Sequence, residues 1–105
     1  MVEVIASFLR SLERPLILLL LFRRPRHGYE LIHEFKKLTG RKLKPGFVYP
    51  FLHWLEKEGY TISHYVRRGK REAKYYKLTE KGERLLQNIR KVFSVSIREL
   101  FDDLT

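Results

Sequence analysis

The stretch PGFVYPFLHWLEKEGY, residues 45–60, decides how the chain folds. Val48, Phe51, Leu52 and Leu55 recur at i, i+3, i+4 and i+7, the spacing of one face of an α-helix. A helix over 46–58 that buries this stripe turns Tyr49, Pro50, His53 and Lys57 outward and leaves Phe47 and Trp54 at the margin. Pro50 falls in the first turns, where a proline distorts less than in a helix interior. Gly59 supplies a C-terminal stop.

Working outward, KKLTGRKLK (36–44) precedes this helix and RRGKR (67–71) follows it closely. The 105-residue chain has a formal net charge of +10, and that charge is unevenly placed. Residues 23–77 hold 15 Lys or Arg against 5 Asp or Glu, whereas the two flanks together hold 7 of each. A basic field confined to the middle of a chain attracts a polyanion, and nucleic acid is the leading candidate. A helix face that is aromatic and basic rather than acidic suits a major groove about 12 Å wide. Lys42 and Lys44 directly precede that helix and read as phosphate contacts. Arg67, Arg68, Lys70 and Arg71 crowd a hairpin tip, where four cations serve no structural purpose.

Periodicity places the remaining elements. Residues 2–12 are weakly amphipathic, and 15–22 are apolar all round, so that helix runs through the middle of the fold. Pro15 stands where a helix can begin. RRPRHG breaks the chain, and a helix over about 28–38 ends at Gly40. From 61 the period becomes two: Ile62, His64 and Val66 share one face of a strand over 61–67, and Ser63, Tyr65 and Arg67 share the other. A turn at 68–71 leads to a return strand over 72–78, with Tyr76 and Leu78 on its buried face. Thr79 caps a last, long helix, without a capping box because Gly82 stands at the third position. The fold class is therefore mostly α with a small β-hairpin (α+β), a winged helix-turn-helix. Residues 1–80 form the DNA-binding domain, helix 2–12 contributing to a dimer, and 81–105 form a C-terminal dimerisation helix.

Several function classes drop out. There is no cysteine, so disulfides and thiolate metal sites are excluded. The longest apolar run, PLILLLLF (15–22), falls far short of the roughly 20 residues of a membrane span, and a cytoplasmic protein is expected. His27, His33, His53 and His64 lack the spacing of a metal site. No glycine-rich phosphate loop, nucleophile elbow or paired acids in an apolar setting are visible, so neither a cofactor nor an enzyme is expected.

The last helix carries Leu85, Leu86, Ile89, Val92, Phe93, Ile97, Leu100, Phe101 and Leu104 as one apolar stripe. About 25 residues at 1.5 Å each extend roughly 37 Å, more than a domain of this size covers by itself. With Ile5, Phe8 and Leu9 of the first helix, this stripe reads as a homodimer interface. A small-molecule effector in an apolar chamber there is left open; Phe93 and Phe101 read as its lining or as plain packing.

PRHGYELIHEF (25–35), the spacing of Gly46, Tyr49–Pro50, Leu52, Leu55–Glu56 and Glu58–Gly59, and REAKYYKLTEKGERLL (71–86) together resemble the PadR family of transcriptional regulators, from residue 15 to about 86. The resemblance implies a homodimer on operator DNA, commonly a repressor, with 46–58 as recognition helix and Tyr49 near the DNA backbone. It further implies that His27, Gly28 and Tyr29 open the second helix toward a phosphate, and that Arg67, Arg68, Lys70 and Arg71 tip the wing. Phe51 and Trp54 depart from the small and polar residues usual there, so no base preference carries over. The other reading is a non-specific, chromosome-associated nucleic-acid-binding protein, for which the charge alone argues.

Overall fold

The computed structural model describes residues 1–104, so the end of the expected 81–105 segment lies outside the described residues. Its elements are α1 (Val2–Ser11), α2 (Glu13–Arg23), α3 (Gly28–Thr39), α4 (Pro45–Lys57), β1 (Thr61–Arg68), β2 (Arg71–Leu78) and α5 (Glu80–Leu104). This is the winged helix-turn-helix order. Helix α2 starts at Glu13, two residues before Pro15, which still lies in the first turn, where its missing N–H costs nothing. Ile17, Leu18, Leu20 and Leu21 of α2 are buried, as an all-apolar helix requires. Against them pack Leu31, Ile32 and Phe35 of α3, the α4 stripe, and Tyr76 and Leu78 of β2.

The hairpin closes through Gly69 and Lys70. Only Gly69 has positive φ, +63°, the pattern of a type II′ turn. Thr61 pairs with Leu78 and Ser63 with Tyr76, so the inner face of β1 carries Thr61 and Ser63. Ile62, on the other face, is 59% exposed. Alternation identifies two faces but not which one meets the core. That choice is made by the register to Tyr76 and Leu78.

One pairing has no local signal in the sequence. Arg26, expected in a loop, exchanges backbone hydrogen bonds with Tyr76 (N···O 3.1 and 2.9 Å) and acts as a one-residue third strand. Pro25 favours extended backbone in Arg24 (φ −167°, ψ 161°), which aims the chain at β2. Burial pushes the Arg26 guanidinium down from its ordinary value, and its Nε–H donates to Leu20 O at 3.0 Å.

The junction into α5 is the tightest point of the fold. Thr79 Oγ1 accepts from Gly82 N–H (3.1 Å) and donates to Gly59 O (2.7 Å), while Thr79 N–H donates to Tyr60 O (3.1 Å). The turn after α4 and the start of α5 are thereby locked together. A Cβ on Gly82 would stand 2.1 Å from Tyr60 O. Beyond this junction Leu85, Leu86 and Ile89 pack against the core, but the later stripe of α5 does not. Helix α1 buries no residue at all. The radius of gyration, 15.5 Å, exceeds the ~13 Å of a compact chain of this length because these helices project. Among the described residues, no helix is long and apolar enough to cross a membrane.

Gly82→Ala should lower stability by about 2 kcal/mol or more, although alanine is the better helix former by about 1 kcal/mol. Thermal denaturation should show a drop of roughly 10 °C; an unchanged melting temperature would contradict the close approach.

Candidate nucleic-acid interface

Burial of Val48, Phe51, Leu52 and Leu55 fixes the rotation of α4. Pro45, Gly46, Tyr49, Pro50, His53, Trp54 and Lys57 are left on its exposed surface. Tyr49, 49% exposed, lies with its ring across Gly28 of α3. A Cβ on Gly28 would come 2.5 Å from Tyr49 Cε1, so the glycine is what lets the ring lie there. Gly28 is thus buried beneath Tyr49, whereas Tyr29 beside it is 70% exposed.

His27 caps α3. Its Nδ1 accepts from Glu30 N–H at 3.2 Å, and Glu30 Oε1 accepts from His27 N–H at 3.4 Å, a reciprocal capping box. Burial alone would push the Glu30 carboxyl up. The Arg24 guanidinium, 2.6 Å away, and the His27 N–H outweigh it and hold that carboxyl below its ordinary range. One N–H at this helix end is therefore already taken, and a carboxylate sits beside it. His27 also packs edge-on to Tyr75, ring centroids 5.1 Å apart.

Between α3 and α4 the chain runs without regular structure. Leu43 is buried, which turns Lys42 and Lys44 outward on either side of it. Arg41 reaches back instead, its Nη1–H donating to Ala6 O of α1 at 2.9 Å. Tyr29 lines two adjoining clefts. One, of about 220 Å³, is shared with His33, Lys36 and Lys42; the other, of about 570 Å³, is shared with Tyr49, Arg71 and Lys74. The two clefts meet at Tyr29 and together run from Lys42 past Tyr49 to the hairpin, with Lys36, Lys42, Arg71 and Lys74 against the single acid Glu72 in their walls.

At the hairpin tip Arg67, Arg68, Lys70 and Arg71 are all exposed. Arg68 pairs directly with Arg71 across the strands, a like-charge arrangement that destabilises a hairpin unless an anion sits between them. The hairpin is braced to α4. Glu56 accepts from the Ser63 hydroxyl and from Lys74 Nζ at 2.9 Å, and these two donors hold its carboxyl below the usual range. Local sequence rules are blind to this brace, because it joins residues 7 and 18 positions apart.

A second feature lies on the far flank of α4, where Phe47, Phe51 and Trp54 follow at i, i+4 and i+7. The rings of Phe47, Phe51 and Trp54 stack nearly parallel, at 5.5 Å and 10°, then 6.2 Å and 13°. Arg14 of α2 lies 5.1 Å from the Phe47 centroid, and Lys81 lies 4.6 Å from that of Tyr60, which continues the ladder. The two family departures, Phe51 and Trp54, are both members of this ladder.

The apolar residues expected at an interface divide in two. Leu86 and Ile89 pack on their own core, and Leu9 and Phe93 are half-buried. Ile5, Phe8, Ile97, Leu100, Phe101 and Leu104 are exposed.

Residues 17–88 match the sequence profile described as the transcriptional regulator PadR-like family. A PadR family transcriptional regulator from Eggerthella lenta is similar over 97% of this chain and 93% of its own, at 27% identity and a TM-score of 0.76. A PadR-like regulator from Bacillus cereus shares the fold at a TM-score of 0.82 and 22% identity, over 94% of this chain and 97% of its own. PadR of Bacillus subtilis, solved in complex with operator DNA, is 32% identical over 75% of this chain and 45% of its own, with a TM-score of 0.66. No curated protein matches the sequence.

The Glu56 brace makes stability depend on pH. A carboxyl held low in the fold stabilises it above the ordinary glutamate range, about 4.3, and that stabilisation is lost as pH falls. Glu56→Gln should cost less than about 1 kcal/mol at pH 7, the pair being partly solvated. In denaturant titrations the difference from the parent protein should shrink as pH falls below the ordinary glutamate value of about 4.3; a pH-independent difference would contradict the ion pair.

Proposed function

The chain belongs to the PadR-like family of transcriptional regulators, and from that premise we propose that it is a homodimeric repressor that binds a two-fold symmetric operator. The observation that carries this reading is the pair of mostly basic clefts running from Lys42 past Tyr49 to Arg71, beside the exposed face of α4. Helix α4 enters the major groove with Tyr49, Pro50, His53 and Lys57 toward the DNA. Lys42 and Lys44 meet phosphates on one side, and the wing tip meets a neighbouring minor groove or its phosphates on the other. The complex of Bacillus subtilis PadR with operator DNA supports this use of the fold.

Dimerisation follows from what the monomer leaves uncovered. A ten-residue helix that buries nothing, as α1 does, is marginal in water by itself. Val2, Ile5 and Phe8 of α1 and Ile97, Leu100, Phe101 and Leu104 of α5 are exposed in one protomer, and a second copy covers them. An open apolar groove of about 470 Å³ between α2 and α5, with Leu16, Phe22, Ile89 and Phe93 in its walls, adjoins that surface. We assign it to the partner copy in the first place, and to a small-molecule effector only within the assembled dimer. Two recognition helices then stand one DNA turn apart, about 34 Å.

Selection from random duplex DNA at about 150 mM salt tests the reading. It should enrich a two-fold symmetric sequence with half-site centres about ten base pairs apart. Binding without any enriched sequence, fading steeply with salt, would overturn the repressor and leave an architectural DNA-binding protein. Arg68→Ala should move stability and binding in opposite directions. The melting temperature rises slightly as the repulsion with Arg71 is relieved, while the salt dependence of DNA binding falls by about one unit of log–log slope per lost phosphate contact. An unchanged slope would remove the wing from the interface.

A further inference from the structure

Helix α4 lacks the side chains most often used to read bases. Its sequence, PGFVYPFLHWLEK, contains no Arg, Asn, Gln, Ser or Thr. Arg, Asn and Gln supply most paired hydrogen bonds to guanine and adenine, and of the residues that read guanine α4 has only Lys57, in its last turn. Its acid, Glu56, is engaged by Ser63 and Lys74. On the outward face, hydrogen-bonding capacity rests with Tyr49, His53 and Lys57, and the rest of that face is apolar.

The apolar part is ordered. Gly46, Pro50 and Trp54 follow one another at i, i+4 and i+8, forming one ridge along the helix. Together with Phe47 and Phe51 they line an open cleft of about 410 Å³. Trp54 is 46% exposed, yet its ring is held against Phe51 in the ladder rather than left free. A Cβ on Gly46 would meet nothing within 4 Å, so packing within this chain gives no reason for a glycine there. Space is kept on the outside of the helix, where a ligand would approach. Arg14, on the same rim, keeps the edge of the cleft cationic.

An apolar ridge beside a basic face matches the one apolar feature that bases present in the major groove, the C5-methyl group of thymine. We infer that Gly46, Pro50 and Trp54 read thymine methyl groups, and that sequence selection by this protein depends on them more than on hydrogen bonds to purines. The inference rests on the DNA-binding reading above and adds to it the base and the atoms that are recognised. It also explains why Phe51 and Trp54 are aromatic. Their stacked rings hold the ridge rigid, so that the contact does not require ordering a free side chain.

Deoxyuridine removes the methyl group and nothing else. Each thymine of the selected duplex is replaced in turn, and binding of the unaltered protein is measured. One or two positions per half-site should lose affinity roughly fourfold, the worth of one buried methyl-sized group expressed as a ratio. Trp54 is the single tryptophan of the sequence, so its emission should respond differently to thymine and uracil at those same positions. Trp54→Ala should bind the two duplexes alike, with Pro50→Ala as a second variant should that protein fold poorly. If no sequence is selected at all, the regulator reading fails and takes this inference with it. If a sequence is selected and deoxyuridine is accepted at every thymine without loss, this inference alone is overturned.

Discussion

Everything outside the core is arranged by the burial of four side chains on one helix. Val48, Phe51, Leu52 and Leu55 lock α4 against α2 and α3, and a helix locked by one stripe has no rotational freedom left. From that rotation follow the ring of Tyr49 over Gly28 on one flank, the Glu56 brace to the hairpin, and the aromatic ladder on the other flank. Three different kinds of contact therefore hold α4 at one angle. The groove entry proposed for α4 depends on this, because a small rotation would exchange the side chains on its exposed face.

The same rigidity extends to the hairpin. Backbone pairing of Arg26 with Tyr76 ties β2 to the segment before α3, and the Thr79 junction ties α5 to the turn after α4. The wing therefore keeps a defined position relative to α4. In contrast, α1 is held by little more than its short contact with α2 and by Arg41 donating to Ala6 O. Because Lys42 follows Arg41 directly, α1 is linked to the loop that carries Lys42 and Lys44. The chain thus divides by stability: a well-packed centre fixes the geometry of α4 and the hairpin, and α1 and the end of α5 project from it with their apolar residues exposed.

Much of this is legible in the sequence. The 3.6-residue period places the α4 stripe, and the alternation before Thr79 puts Tyr76 and Leu78, both buried, on one face of β2. Local rules suffice for such features, since they concern residues within two turns of each other. What escapes them depends on distant partners. Ile62 is the more apolar residue, but Thr61 faces the core, because register outranks side-chain preference. Arg26 bridges a strand residue fifty positions away, and the stacking of Phe51 and Trp54 is completed by Arg14 from another helix. The His27 cap is half visible: Glu30 stands three residues on, as a capping box requires, but histidine is an uncommon partner for it.

The symmetric operator proposed for this chain requires two copies to hold their α4 helices one DNA turn apart. With no cysteine in the sequence, Glu58→Cys gives a single exposed labelling site at the C-terminal end of each protomer's α4. Pulsed dipolar spectroscopy on the spin-labelled protein measures the separation between the two copies directly. One population at about 35 Å is expected, present before DNA is added and narrowed when a duplex binds. No inter-label distance at all, or one far from a whole turn of the double helix, would contradict it.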